Sequence, residues 1–232
     1  NLLLISDDKK ILIDTGMGNK WDEKSKNIYK INPDLELENV LKLNGIKPDE
    51  ITDVLLTHLH FDHTGGSTKY ENGKLIPAFP NAKYFVQKKN FEWAMNPSDR
   101  DRGSYLKENF EPLVKEGVLN LIDGEIDLDN NISFRIINGH TFAQQMIKIS
   151  DSLNTVLYCA DLMPFISQIR IPYVMGYDIQ PMITVQEKKK YLQLAADQNW
   201  QIYFGHDPEF ALATVKYSEK GIVQDKVSKD FE

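Results

Sequence analysis

The chain has 232 residues and a formal net charge of −7. That acidic balance excludes nucleic acid or an anionic membrane as the main partner, since both demand a basic face. The length suits one large α/β domain over residues 1–232, and a single cysteine, Cys159, excludes an internal disulfide and reads as a small buried hydrophobe.

Residues 1–6 and 10–14 read as two strands of a hairpin turned at Asp7-Asp8. The chain starts inside the first of them, so a preceding segment is expected, no leader can be judged, and a cytoplasmic location is the default expectation. Asp14 ends the second strand, either as a turn residue or as a carboxylate that orients a ligand histidine. Residues 19–32 are polar, with Trp21 and Tyr29 as isolated anchors. Leu35, Leu37, Val40, Leu41 and Leu43 mark a short helix closed by Gly45. Val54-Leu55-Leu56 is a buried strand. Residues 70–80, rich in Gly and Pro, read as an irregular insertion. A strand at 82–87, helices at 88–95 and 105–116, and strands at 118–122 and 132–137 follow, with a second hairpin at 146–149 and 156–159. The apolar stretch 162–182, broken by Pro164, Pro172 and Pro181, fits neither helix nor strand. It reads as a wall of a substrate pocket, or as cover for the core or a homodimer interface. Residues 184–199 form the strongest helix, with Leu192, Leu194, Ala195 and Ala196 on its apolar side and Glu187 with lysines 188–190 on a wet one. Strands at 210–217 and 221–227 close the chain. Hairpins mixed with helices exclude a doubly wound parallel sheet and predict an α/β fold of two packed mixed β-sheets with helices outside. No apolar run approaches the ~18–20 residues of a membrane span.

The chemistry concentrates in Thr57-His58-Leu59-His60-Phe61-Asp62-His63-Thr64-Gly65-Gly66, directly after the Val54 strand. Imidazole and carboxylate are what a borderline ion such as zinc takes as ligands. His58 and His60 alternate along an extended backbone and can face one point. Asp62 and His63 follow where the chain turns and can face a second, so the spacing predicts two adjacent metal sites. The remaining histidines of the five, His140 and His206, each follow a predicted strand, and Asp161 ends another. Every histidine therefore fits one ligand scheme.

On these phrases, from Ile11-Leu12-Ile13-Asp14-Thr15-Gly16 to Gly205-His206-Asp207, the chain resembles the metallo-β-lactamase-fold hydrolases. Pro80-Asn81-Ala82-Lys83-Tyr84, Gly139-His140-Thr141 and Ala160-Asp161-Leu162-Met163 resemble more narrowly the quorum-quenching lactonases and related organophosphate hydrolases. The resemblance implies a four-layer αββα sandwich. It implies His58, His60 and His140 on one divalent ion, Asp62, His63 and His206 on another, and Asp161 bridging both. The ions are expected to be zinc, with manganese, iron or cobalt as alternatives.

The implied reaction is attack on an ester-type carbonyl by a metal-bridging hydroxide, two ions ~3.5–4 Å apart lowering the pKa of its parent water. Asp62 doubles as the catalytic proton carrier. The substrate is expected to be a small ester or lactone such as an N-acyl homoserine lactone, lined by Phe61, Met163, Tyr173, Met175 and Tyr177. An aryl phosphotriesterase or general esterase is the alternative, a glyoxalase II-like thioester hydrolase the third, and a metal-binding module without turnover the non-enzyme reading. Two departures bear on the substrate. Pro164 stands where several lactonases carry a tyrosine, and Phe142-Ala143-Gln144 where relatives often have Pro-Gly-His.

Overall fold

The apolar runs that open the chain pair as the alternation predicts. In the computed structural model, which describes residues 1–231, β1 (Leu2–Ile5) and β2 (Lys10–Ile13) form an antiparallel hairpin. They begin the first of two compact units, Asn1–Asp123 and Gly124–Glu232. In chain order the first unit continues with α1 (Glu23–Tyr29), α2 (Leu37–Leu43), β3 (Asp53–Leu55), α3 (Phe61–Thr64), β4 (Thr68–Glu71), β5 (Lys74–Pro77), β6 (Lys83–Gln87), α4 (Lys88–Met95), α5 (Glu111–Lys115) and β7 (Leu119–Ile122). Its main sheet runs β1-β2-β3-β6-β7, with every pair after the opening hairpin parallel. Parallel strands in mid-sheet read as unbroken apolar runs, and Val54, Leu55 and Leu56 are all fully buried. Leu12, Ile51, Phe79, Tyr84, Phe110 and Leu113 join Val54 and Leu56 in this unit's core.

Three local expectations for this unit need correction. The polar stretch 19–32 holds α1, because the Asp22 carboxylate caps it by accepting from Ser25 N at 2.7 Å and Lys30 ends it in the left-handed region at φ 54°. Residues 70–80 are not irregular. β4 and β5 pair antiparallel around Asn72-Gly73, both at positive φ, the signature of a two-residue hairpin turn. The helix expected at 105–116 is confined to α5 and a preceding 3-10 turn at 107–109, with Phe110 breaking the two at φ −135°.

The second unit contains β8 (Ile132–Ile137), β9 (Gln144–Ser150), β10 (Thr155–Tyr158), α6 (Pro181–Gln198), β11 (Gln201–Tyr203), β12 (Leu212–Ser218) and β13 (Gly221–Ser228). The strands form one mixed sheet in the order β13-β12-β11-β10-β9-β8, antiparallel except between β10 and β11. Ile137, Met146, Leu157, Leu192, Ala195, Ile202 and Phe204 anchor its core. Cys159 is fully buried there, and burial pushes its thiol well above the usual range, in keeping with a packing role. α6 starts three residues before the predicted point because Pro181 sits in its first turn, where a missing N–H costs nothing. Its lysine run is not uniformly wet: Lys188 is fully buried. The 162–182 stretch holds a 3-10 turn at Ile166–Ile169 and otherwise joins no strand ladder. Among the described residues no helix is long and apolar enough to cross a membrane.

In the first unit the backbone at Thr15-Gly16-Met17-Gly18 lies directly against Gly65-Gly66. A Cβ added at Gly65 would run into the carbonyl of Met17, and one at Gly66 into that of Thr15. Both obstacles are backbone, so neither can turn aside. Gly65→Ala is therefore expected to cost at least about 2 kcal/mol of stability, read from the urea midpoint. A midpoint equal to the parent's would show that these loops do not hold each other.

Candidate metal centre

Each unit carries part of the predicted ligand set, and within each the geometry is fixed by buried carboxylates. In the first unit β3 ends at Leu55, and Thr57-His58-Leu59-His60 leads through a bend at Thr57 to an extended His60 and the short helix α3. Asn90 of α4 pins this run from one side, its Oδ1 accepting from Leu59 N at 3.0 Å. From the other, Thr15 donates to His63 O through N at 2.7 Å and through Oγ1 at 3.0 Å.

Asp14 is the hub. Its backbone sits at φ 56°, uncommon for a residue with a side chain, so both readings of it hold: it turns the chain and it orients a histidine. A carboxylate only accepts, which settles the direction of every contact it makes. Oδ1 accepts from Thr57 N at 2.8 Å, and Oδ2 accepts from Thr57 Oγ1 at 2.9 Å and from His63 Nδ1 at 2.8 Å. With its one proton committed, Thr57 Oγ1 is left to accept from His58 Nδ1 at 3.0 Å. His58 and His63 are thereby held in the tautomer that presents Nε2 as a ligand nitrogen. The side chains of the run lie close together, with the His58 and His63 ring centroids 4.2 Å apart. His58 Nε2 lies 3.0 Å from His60 Nδ1, and His63 Nε2 lies 3.7 Å from Asp62 Oδ2.

In the second unit His140 sits in the turn between β8 and β9. The start of α6 grips that turn. Gln180 N donates to Gly139 O at 2.8 Å, Ile179 N to His140 O at 3.0 Å, and the Glu187 carboxylate accepts from Asn138 N at 2.7 Å and Gly139 N at 3.0 Å. Burial holds the Glu187 carboxyl above its usual range despite these two bonds. Gly139 is required, because a Cβ there would strike Thr184. His140 Nδ1 donates to Asp178 Oδ1 at 3.0 Å, and Asp178 Oδ2 accepts from Thr184 Oγ1 at 2.9 Å. His140 is thus held as His63 is, by a buried carboxylate on Nδ1.

Asp161 follows β10 after Ala160, which turns the chain at φ 46°. Its Oδ2 lies 3.4 Å from His140 Nε2 and its Oδ1 3.2 Å from His206 Nε2. With the Nδ1 proton of His140 given to Asp178, two lone-pair atoms face each other across the first of these gaps, and that donor chemistry fits a bound cation. His206 is placed by its own N–H, which donates to Pro164 O at 3.2 Å. Pro164, which stands where several lactonases carry a tyrosine, therefore seats His206 through its carbonyl.

The five expected substrate residues part company. Phe61 is half-buried and packs with Trp21 and Tyr29, the three ring centroids 5.2–5.4 Å apart. Trp21 and Tyr29 are therefore not isolated anchors, as their spacing in the sequence suggests, but one cluster with Phe61. Tyr177 is exposed, its ring 5.7 Å from that of His140. Tyr173 is exposed and pairs with Arg170, whose guanidinium stands 5.7 Å from the ring. Met175 is half-buried. Met163 requires correction: it is fully buried among the core residues of the second unit and offers no surface to a substrate.

The family model of the metallo-beta-lactamase superfamily matches residues 1–206. The N-acyl homoserine lactonase AiiA of Bacillus thuringiensis subsp. kurstaki is 26% identical over 220 residues, 89% of this chain and 80% of that protein. A probable metal-dependent hydrolase from Staphylococcus aureus superposes with a TM-score of 0.86 at 25% identity, over 97% of this chain and 79% of the other. AidC, a dizinc quorum-quenching lactonase solved with a product, superposes with a TM-score of 0.80 at 25% identity, over 99% and 79%. With the mixed sheets and helices of its α/β fold, the chain belongs to the metallo-β-lactamase superfamily and is a hydrolase of it.

Proposed function

We propose that the protein is a dinuclear metal-dependent lactonase that opens N-acyl homoserine lactones. The observation that carries the reading is Asp161, whose two oxygens turn to two different histidines, an arrangement that suits a carboxylate shared by two ions. In this reading His58, His60 and His140 hold one divalent ion, Asp62, His63 and His206 the other, and Asp161 both. The family match and the lactonase names of the relatives support the assignment. The ions are assigned as zinc, the metal of the AidC neighbour.

When bound, such a pair of ions supplies Lewis acidity for the carbonyl and for water at neutral pH. The rest falls to the chain. Asp14 and Asp178 keep the Nδ1 atoms of His63 and His140 protonated, so neither ring can rotate or change tautomer during turnover. Asp62, half-buried in the first turn of α3, carries the proton to the leaving alkoxide as the ring opens. Phe61 with Trp21 and Tyr29 offers an aromatic surface beside the ligand loop to an apolar acyl chain. The phenol of Tyr177, on a ring edge-on to His140, takes the role that Pro164 cannot fill and donates to the lactone carbonyl oxygen.

The direct test is hydrolysis of N-acyl homoserine lactones beside an aryl phosphotriester and a thioester, with metal content measured on the same batch. Two divalent ions per chain and turnover of the lactone above the others are expected. A single ion that zinc or manganese cannot supplement sinks the dinuclear centre, and phosphotriester turnover above lactone turnover assigns the rival reaction.

Asp161→Asn replaces a carboxylate with an amide that cannot serve two ions equally. Turnover is expected to drop at least about tenfold with loss of metal, and wild-type rate with full metal content would remove Asp161 from the bridge. Tyr177→Phe is expected to lower kcat about 10²-fold, the scale for losing one donor to a developing oxyanion, while Tyr173→Phe stays within about threefold. Equal effects from the two variants would strip Tyr177 of the role.

A further inference from the structure

Lys188 lies in a lysine run that hydropathy assigns to solvent, yet it is among the largest fully buried side chains. Its ammonium donates to three main-chain carbonyls: Arg170 O at 2.8 Å, Ile171 O at 3.1 Å and Tyr173 O at 2.6 Å. Three donors meet three acceptors, which is the full capacity of the group. The acceptors belong to a stretch without a strand ladder, where Pro172 has no N–H to give. One side chain thus does for this stretch what a neighbouring strand would do elsewhere. Burial pulls the ammonium down to about 8, with Asp178 pulling the other way, so keeping this group inside is costly and its polar contacts offset that cost.

The pinned stretch leads directly into Tyr173, Met175 and Tyr177 and ends at Asp178, the carboxylate on His140 Nδ1. The residue before Lys188 on α6 is Glu187, which holds Asn138 N and Gly139 N in the His140 turn. Adjacent residues of one rigid helix therefore hold the ligand turn and the segment beside it.

We propose that Lys188 is a positioning residue that sets where the 170–177 segment stands relative to His140, and thereby which acyl chains the site accepts. This rests on the reading of the site as a lactone hydrolase. Lys188 touches neither substrate nor metal in this role; it acts through the backbone of the segment.

The test uses the metal-loaded full chain and two variants, Lys188→Met, which keeps length and loses every donor, and Lys188→Gln, which keeps two. Three quantities are read: metal content, KM and kcat for homoserine lactones of short and long acyl chain, and hydrogen exchange of residues 170–178 by mass spectrometry. For Lys188→Met we expect two ions retained, amides of the segment exchanging at least about tenfold faster while β9 and β12 are unchanged, and the long-to-short ratio of KM shifted about tenfold with kcat altered less than about threefold. Lys188→Gln should fall between Met and the parent. An unchanged ratio with unchanged exchange overturns the proposal. So does a uniform loss on all substrates accompanied by loss of metal, or failure of both variants to fold, since the ammonium would then serve the fold as a whole. If the parent opens no lactone, the functional reading fails separately, and the exchange comparison still decides whether Lys188 fixes the segment.

Discussion

A buried carboxylate that accepts from several donors at once is the interaction on which the histidine run of the first unit depends. Asp14 binds the N–H and hydroxyl of Thr57 and the Nδ1 of His63, and through Thr57 it reaches His58. A left-handed backbone at Asp14 costs of order 1–2 kcal/mol. Charge-assisted hydrogen bonds are worth about 1.5–3 kcal/mol each, so the contacts outweigh the strain. An asparagine would fit the turn better but would not hold the histidines equally, because its NH2 offers donors where two of these contacts need an acceptor.

The second unit solves the same problem differently. Asp178 is equivalent to Asp14 in chemistry but does not lie at the end of a strand. It precedes α6 and is steadied by Thr184 of that helix. Thr184, Glu187 and Lys188 of α6 then hold, in turn, the orienting carboxylate, the His140 turn and the adjoining segment. The close seating of Gly139 on Thr184 makes this possible, since any side chain at that position would lift the turn away from the helix. A helix is a suitable frame because its own hydrogen bonds make it stiff, whereas the 162–180 stretch has few of its own.

The departures from the lactonase pattern are absorbed locally. Ala143 takes φ 50° where relatives often have glycine, and its N–H is captured by Asn138 Oδ1 at 2.9 Å, which closes the turn in spite of the strain. Pro164 lacks the phenol but supplies the carbonyl that seats His206. Neither change alters one of the five histidines or Asp161.

The sequence by itself determined what each residue can do. Ligand-type chemistry depends on residue type and short spacing, so the H-x-H-x-D-H run and the positions of His140, Asp161 and His206 just beyond strands could be read without a fold. The strands followed from apolar runs in the same way, and the Asn72-Gly73 hairpin was legible there too, though Gly and Pro content masked it. What only the tertiary structure decided was which distant groups meet. Trp21 and Tyr29 gather on Phe61 across more than thirty residues, Asp14 reaches His63, and Asp178 reaches His140. Lys188 is buried because three carbonyls without a ladder lie where its ammonium ends. Hydropathy scores a side chain against water; burial of a charge is settled by the partners that replace water, and those come from elsewhere in the chain.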